Sequence, residues 1–152
     1  MINLYNYYTK PVELYRYTER VNFMPEVAYF LARDIGVEQF NKTYPNGERC
    51  IAKNADTAYK YSKYILGNGL FPLGEDAIGK SADYSYYYAV NVLHGPFLKG
   101  EDMIATDACY SYWYARDVLH DRFIKGESVI MDGGFWSKYT GFLSKLGIIF
   151  KL

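Results

Sequence analysis

Three stretches of the chain place small or apolar residues at the same internal spacing. They are Ala58, Tyr61, Ser62, Ile65 and Leu66; then Ser85, Tyr88, Ala89, Val92 and Leu93; then Ser111, Tyr114, Ala115, Val118 and Leu119. A spacing of i, i+3, i+4, i+7, i+8 draws one stripe down an α-helix. Runs such as "YSYYYA" have strand propensity, but the small residue every fourth position and the good N-cap residues Asn54, Ser81 and Asp107 ahead of each stripe favour helix. Before each of these longer helices (helix B) lies a shorter one (helix A). It is opened by Glu48, Glu75, Glu101 or Glu127, placed where a helix dipole favours a negative charge, and it carries Ile51, Ile78, Ile104 or Ile130. After helix B a turn with Gly67, Gly95 or Asp121 leads to Phe71, Phe97 or Phe123, which should fold back onto the core.

The pattern is a tandem repeat. The dipeptide Gly-Glu recurs at Gly47, Gly74, Gly100 and Gly126 with spacings of 27, 26 and 26, the longer interval holding the "GNG" of Gly67, Asn68 and Gly69. A weaker copy, "PEVAYFLARDIG" from Pro25, aligns its Ala28, Tyr29, Ala32 and Ile35 with Ser111, Tyr112, Ala115 and Val118. A unit of this size cannot bury its apolar face alone, so it must stack on copies of itself. The expectation is an all-α solenoid of about five short helix-turn-helix units with a 26-residue period. An N-terminal cap spans 1–24, units span 25–46, 47–73, 74–99 and 100–125, and a degenerate capping unit spans 126–152. The tyrosine stripe then belongs to the core, each ring filling space beside a small neighbour while its hydroxyl seeks water or a backbone partner.

Composition narrows the functional classes. The 152 residues are 50% hydrophobic and 19% aromatic, which suffices for one domain with a continuous core. Lys plus Arg and Asp plus Glu both number 17, so the chain lacks the positive field that a nucleic-acid backbone or an anionic membrane attracts. No secretory leader and no apolar run of membrane-spanning length is present in the sequence. The expectation is a soluble protein of the cytoplasm, with Cys50 and Cys109 as free thiols.

Positions that change chemistry between copies point to function. On helix B these are Phe30, Arg33 and Asp34; Lys60, Lys63 and Tyr64; Tyr87, Val90 and Asn91; and Trp113, Arg116 and Asp117. They fall at i, i+3, i+4 on the face opposite the shared stripe, and stacked units would align them into one ridge. Exposed aromatics in line mark a surface that a partner covers. The ridge is the candidate partner-binding site, carried by Phe30, Arg33, Lys60, Lys63, Tyr64, Tyr87, Asn91, Trp113, Arg116 and Asp117. The structural alternative is that it packs on helix A of an adjacent unit.

Gly-Glu, Ile-Ala, a capped "AYxYAxxVL" helix and "HGPF" or "HDRF" together resemble the short Tyr-rich tandem repeats of uncharacterised proteins from tailed bacteriophages and large DNA viruses. The resemblance covers about residues 25–131. It implies a helical repeat fold and a viral accessory role in the infected cell, and it carries over no catalytic residue. The ends depart from it: "INLYNYYTKPVELYRYTERVNFM" and "KLGIIFKL" do not match, and the fourth unit gains Gly133, Gly134 and Gly141. A second similarity, to Sel1-like repeats, rests on "AYKYSKYILGNG".

Residues that could do chemistry have structural readings. His94 and His120 hold equivalent positions just past helix B, where a cation caps the negative dipole end. Glu75 with Asp76 and Glu101 with Asp102 recur as helix starts. No metal-ligand spacing, phosphate loop or nucleophile elbow occurs in the sequence, so neither metal nor cofactor is expected. The sequence thus predicts a non-enzymatic protein that binds a host or viral protein, such as a defence factor or toxin. A nucleic-acid or nucleotide binder with a tyrosine stacking surface is the alternative.

Overall fold

In the computed structural model, which describes residues 24–148, every regular element is helical and no strand occurs among the described residues. Helices α1 (Pro25–Ile35) and α2 (Val37–Thr43) come first among the described residues. The next unit supplies α3 (Gly47–Ile51) and α4 (Ala55–Lys60), and the one after it α5 (Glu75–Ile78) and α6 (Ala82–Tyr88). Then come α7 (Glu101–Ile104) with α8 (Ala108–Tyr114), and α9 (Glu127–Asp132) with α10 (Trp136–Lys145). Each B helix packs on the A helix of the following unit: α1 on α3, α4 on α5, α6 on α7 and α8 on α9. The fold is all-α and repeat-like. The cap expected over 1–24 lies, apart from Met24, outside the described residues, as do residues 149–152.

The shared stripe is the buried one. Tyr61, Tyr88, Tyr114 and Tyr139 are each fully buried, and so are Ser62, Ser85, Ser111, Ala89 and Ala115. Helix α1 takes the place of a B helix, with Ala28, Leu31 and Ala32 buried at the positions of Ser111, Tyr114 and Ala115. Gly-Glu recurs because the units need a bare backbone where they touch. A Cβ on Gly74 would stand 2.7 Å from the Ala58 Cβ, one on Gly100 2.5 Å from the Ser85 Cβ, and one on Gly126 2.7 Å from the Ser111 Cβ. Those are steric overlaps with the preceding unit, so any side chain there would push the units apart.

A tyrosine relay locks the same interface. The Phe97 N–H donates to Tyr114 Oη at 2.9 Å, the Phe123 N–H to Tyr139 Oη at 2.9 Å, and the Phe71 N–H to Tyr88 Oη at 3.2 Å, each bond joining one unit to the next. The hydroxyl in turn donates to the glutamate that opens its own unit: Tyr61 to Glu48 at 2.6 Å, Tyr139 to Glu127 at 3.0 Å, and Tyr114 to Glu101 at 3.3 Å. Lys99 and Lys125 hold the far oxygens of Glu75 and Glu101 at 3.2 and 3.3 Å, and Arg122 holds Glu127 at 2.7 Å. Burial and the adjacent carboxylate therefore raise the phenol pKa of Tyr61, Tyr114 and Tyr139 well above its ordinary value. The buried aromatics Phe71, Phe97 and Phe123 pack 4.9–5.1 Å from the relay rings of their own units.

Two local features differ from the sequence reading. Helix B does not stay α-helical to its end, because Tyr61–Ile65, Ala89–Leu93 and Ala115–Leu119 form π turns. The chain leaves each through a left-handed residue, Gly67 at φ 61°, His94 at φ 50° and His120 at φ 50°. The histidines thus terminate the helix through their backbones, in a conformation that histidine tolerates better than branched residues. Of the expected N-caps, Asn54 and Asp107 accept backbone N–H bonds, but Ser81 does not. Its hydroxyl turns to the Asp83 carboxylate, which itself accepts the Tyr84 N–H at 2.8 Å.

Candidate functional site

The outer faces of α4, α6 and α8 lie side by side and are joined by a seam of rings. Tyr59 packs 5.6 Å from Tyr84 and 6.1 Å from Tyr87; one unit on, Tyr86 packs 5.8 Å from Tyr110 and 5.9 Å from Trp113. The geometry repeats because the residues are equivalent in the repeat. Tyr112 against Phe135 at 5.8 Å continues the seam into the last unit. Hydroxyls repeat too: Asn91 donates its side-chain N–H to Tyr59 Oη at 3.1 Å, and Tyr86 donates to the equivalent Asp117 at 2.8 Å. Tyr84 reaches back to Asp56 at 2.6 Å.

The ridge positions therefore divide into seam and surface. Asn91, Trp113 and Asp117 are half-buried in contacts with the preceding B helix, so this part of the ridge packs on helix B and not on helix A. Tyr87 belongs to both, touching Tyr59 and Tyr110 while remaining 37% exposed. Phe30 and Tyr64 are the open rings at 39% and 62% exposure. Arg33 stacks 4.9 Å from Phe30 and Arg116 5.3 Å from Tyr112.

Electrostatically the face is self-neutralised. Arg33 pairs with Asp34, Lys60 with Asp56 and Arg116 with Asp117, at 2.7, 2.7 and 2.5 Å. The Arg116 guanidinium holds the Asp117 carboxyl below the usual carboxylate range, helped by the Tyr86 hydroxyl. Burial, then the Asp117 carboxylate, push the Tyr86 phenol up; burial and the Tyr87 hydroxyl push Tyr110 up to about 12. Lys63 is the exception, since its ammonium lies 5.5 Å from both the Tyr59 and Tyr64 rings and forms no salt bridge with a described carboxylate.

Burial pushes the thiols of Cys50 and Cys109 up, away from the reactive thiolate. Among the described residues no group of three or more His, Cys, Asp or Glu side chains is placed to hold a metal ion. An open cleft of about 510 Å³ lies between the ends of α3 and α5, lined by Lys53, Asn54, Asp76 and Lys80 among others. Among the described residues no helix is long and apolar enough to cross a membrane.

Sequence reasoning missed the relay and the seam. The relay was legible as a constant interval, since Tyr61, Tyr88 and Tyr114 each follow their unit's glutamate by 13 residues. The seam was not, because Tyr86 and Asp117 are 31 residues apart and only stacking brings them together. The chain matches no family model, no curated protein and no solved structure.

Proposed function

We propose that the protein is a non-enzymatic helical repeat that binds another protein through the outer face of its B helices. The observation that carries this reading is the run of exposed rings at Phe30, Tyr64 and Tyr87 beside a rigid aromatic seam. Rigid aromatic anchors lose little entropy on binding and are favoured at interface hot spots. Paired cations at Arg33, Lys60 and Arg116 weigh against a polyanionic partner, because a phosphate backbone would first have to displace Asp34, Asp56 and Asp117. The resemblance to phage and viral repeats makes a host protein of the infected cell the partner sought first.

Affinity capture from host lysate tests the reading, with Tyr64→Ala/Tyr87→Ala as the paired bait. A protein partner is retained by the native bait after nuclease treatment and lost from the double variant. A second reading, a single-stranded nucleic-acid binder, is favoured by Lys63, whose ammonium sits free of a carboxylate between two rings. Fluorescence anisotropy with labelled oligonucleotides at two salt concentrations decides for it if binding appears and weakens steeply with salt.

A further inference from the structure

Two connectors join each unit to its successor, and both are closed in the last unit. The first is a socket for the glycine of the next unit, formed by the small residue three positions before the relay tyrosine: Ala58 before Tyr61, Ser85 before Tyr88, Ser111 before Tyr114. Three positions before Tyr139 stands Trp136, its ring 5.7 Å from the Tyr139 ring. An indole occupies the place where the other units keep a methyl or hydroxymethyl group.

The second connector is the amide twelve residues beyond the socket. Phe97 after Ser85 and Phe123 after Ser111 donate their N–H groups to the tyrosine of the following unit. Twelve residues beyond Trp136 is Ile148, packed against the core, and its N–H donates to Leu143 O at 3.0 Å. That amide is therefore not open to another tyrosine. The ring seam ends here as well: the position of Tyr87 and Trp113 is Lys138, its ammonium 5.3 Å from the Phe135 ring.

We propose that residues 126–148 are a built stop, in which Trp136 and the Ile148 amide refuse a further stacked unit, whether from the same chain or from a second copy. The array does not grow by stacking past this unit. The inference stands apart from the proposed binding role, because it concerns the end of the array and not its outer face.

The test adds one unit in two places. Residues 100–125 are duplicated either after Lys125 or after Phe150 in place of the last two residues, which keeps the spacing from the Phe123 position to the next glycine. The internal copy should stack, so limited trypsin digestion followed by intact-mass measurement should leave the lengthened chain whole. The appended copy should be removed at least tenfold faster, leaving a fragment close to the parental mass. Trp136→Ser with Ile148→Phe in the appended chain should restore resistance. An appended unit as resistant as the internal one while Trp136 is present overturns the stop. So does rapid loss of the internal copy, because the sockets would then not be interchangeable. If the rescue variant fails to fold, the two duplications still decide.

Discussion

Trp113 and Tyr114 are neighbours in sequence and belong to different machines. Tyr114 faces inward, fully buried, with its hydroxyl shared between the Phe97 amide and Glu101, and every unit from 47 onward keeps a tyrosine there. Trp113 faces the outer seam, half-buried between Tyr86 and Tyr110, and its equivalents are Lys60, Tyr87 and Lys138. The inner position is fixed by two simultaneous hydrogen bonds and a packed ring, which tyrosine alone among the aromatics supplies. The outer position asks only for a side chain that can lie against a neighbouring ring, so its chemistry is free to serve a partner.

The largest effect should come from the inner residue. Tyr114→Ala deletes a fully buried ring and leaves the buried Phe97 N–H without a partner, so a loss of about 3–5 kcal/mol is expected. Tyr114→Phe keeps the ring and removes the hydroxyl, which accepts from the Phe97 N–H and donates to Glu101, and should cost about 1–3 kcal/mol. Urea unfolding followed by circular dichroism measures both. Equal losses from the two variants would show that the ring contributes little and the relay everything.

Binding gives the next test. Trp113→Ala should weaken partner binding by about 2 kcal/mol or more, roughly thirtyfold. Since the indole also packs on Tyr86 and Tyr110, some stability goes with it, about 1–2 kcal/mol. Tyr64→Ala, removing the most exposed ring of the face, should leave the melting temperature where it was. A loss of affinity at Trp113 without any at Tyr64 or Tyr87 would narrow the contact to the last two units.

These contrasts show what was readable in advance. The inner stripe was legible because helical spacing repeated three times leaves little freedom, and the buried serines and alanines fall where the stripe puts them. The purpose of Gly-Glu was not, since only the approach of Gly100 to Ser85 in the preceding unit reveals why a side chain is excluded. The ridge was legible as a face but not in its partition. Whether Asn91 or Trp113 meets solvent depends on the lateral distance between B helices, and no periodicity within one helix encodes that distance. The π turns were hidden for a similar reason, as the residues of "AVNVL" and "ARDVL" suit an α-helix equally well.

Alkaline pH should attack the inner set as a group. The phenols of Tyr61, Tyr88, Tyr114 and Tyr139 all titrate above their ordinary value in the folded chain, for which burial is the first cause. A group with a raised folded pKa holds its proton more tightly when folded, so its contribution is complete below the unfolded value near 10 and falls as pH rises beyond it. Stability should therefore be flat through neutral pH and drop above about pH 10. Absorbance at 295 nm should show these four phenols ionising only together with the loss of the helical signal. Smooth ionisation of all tyrosines while the helices persist would break the comparison.

The smallest effect lies at the helix ends. His94 and His120 adopt left-handed backbones at φ 50°, where the equivalent residue of unit 47–73 is Gly67. Both imidazoles are exposed, so removing them forfeits little packing. Glycine enters this conformation without a Cβ penalty but loses more freedom on folding, and the two terms oppose each other. The steric relief is the larger, and His120→Gly should stabilise by up to about 1 kcal/mol. His120→Val, with a branched Cβ forced into the same turn, should instead destabilise by about 1–2 kcal/mol. If glycine destabilises as much as valine, the histidine side chain and not the backbone sustains the turn, and the dipole-capping role expected from sequence is restored.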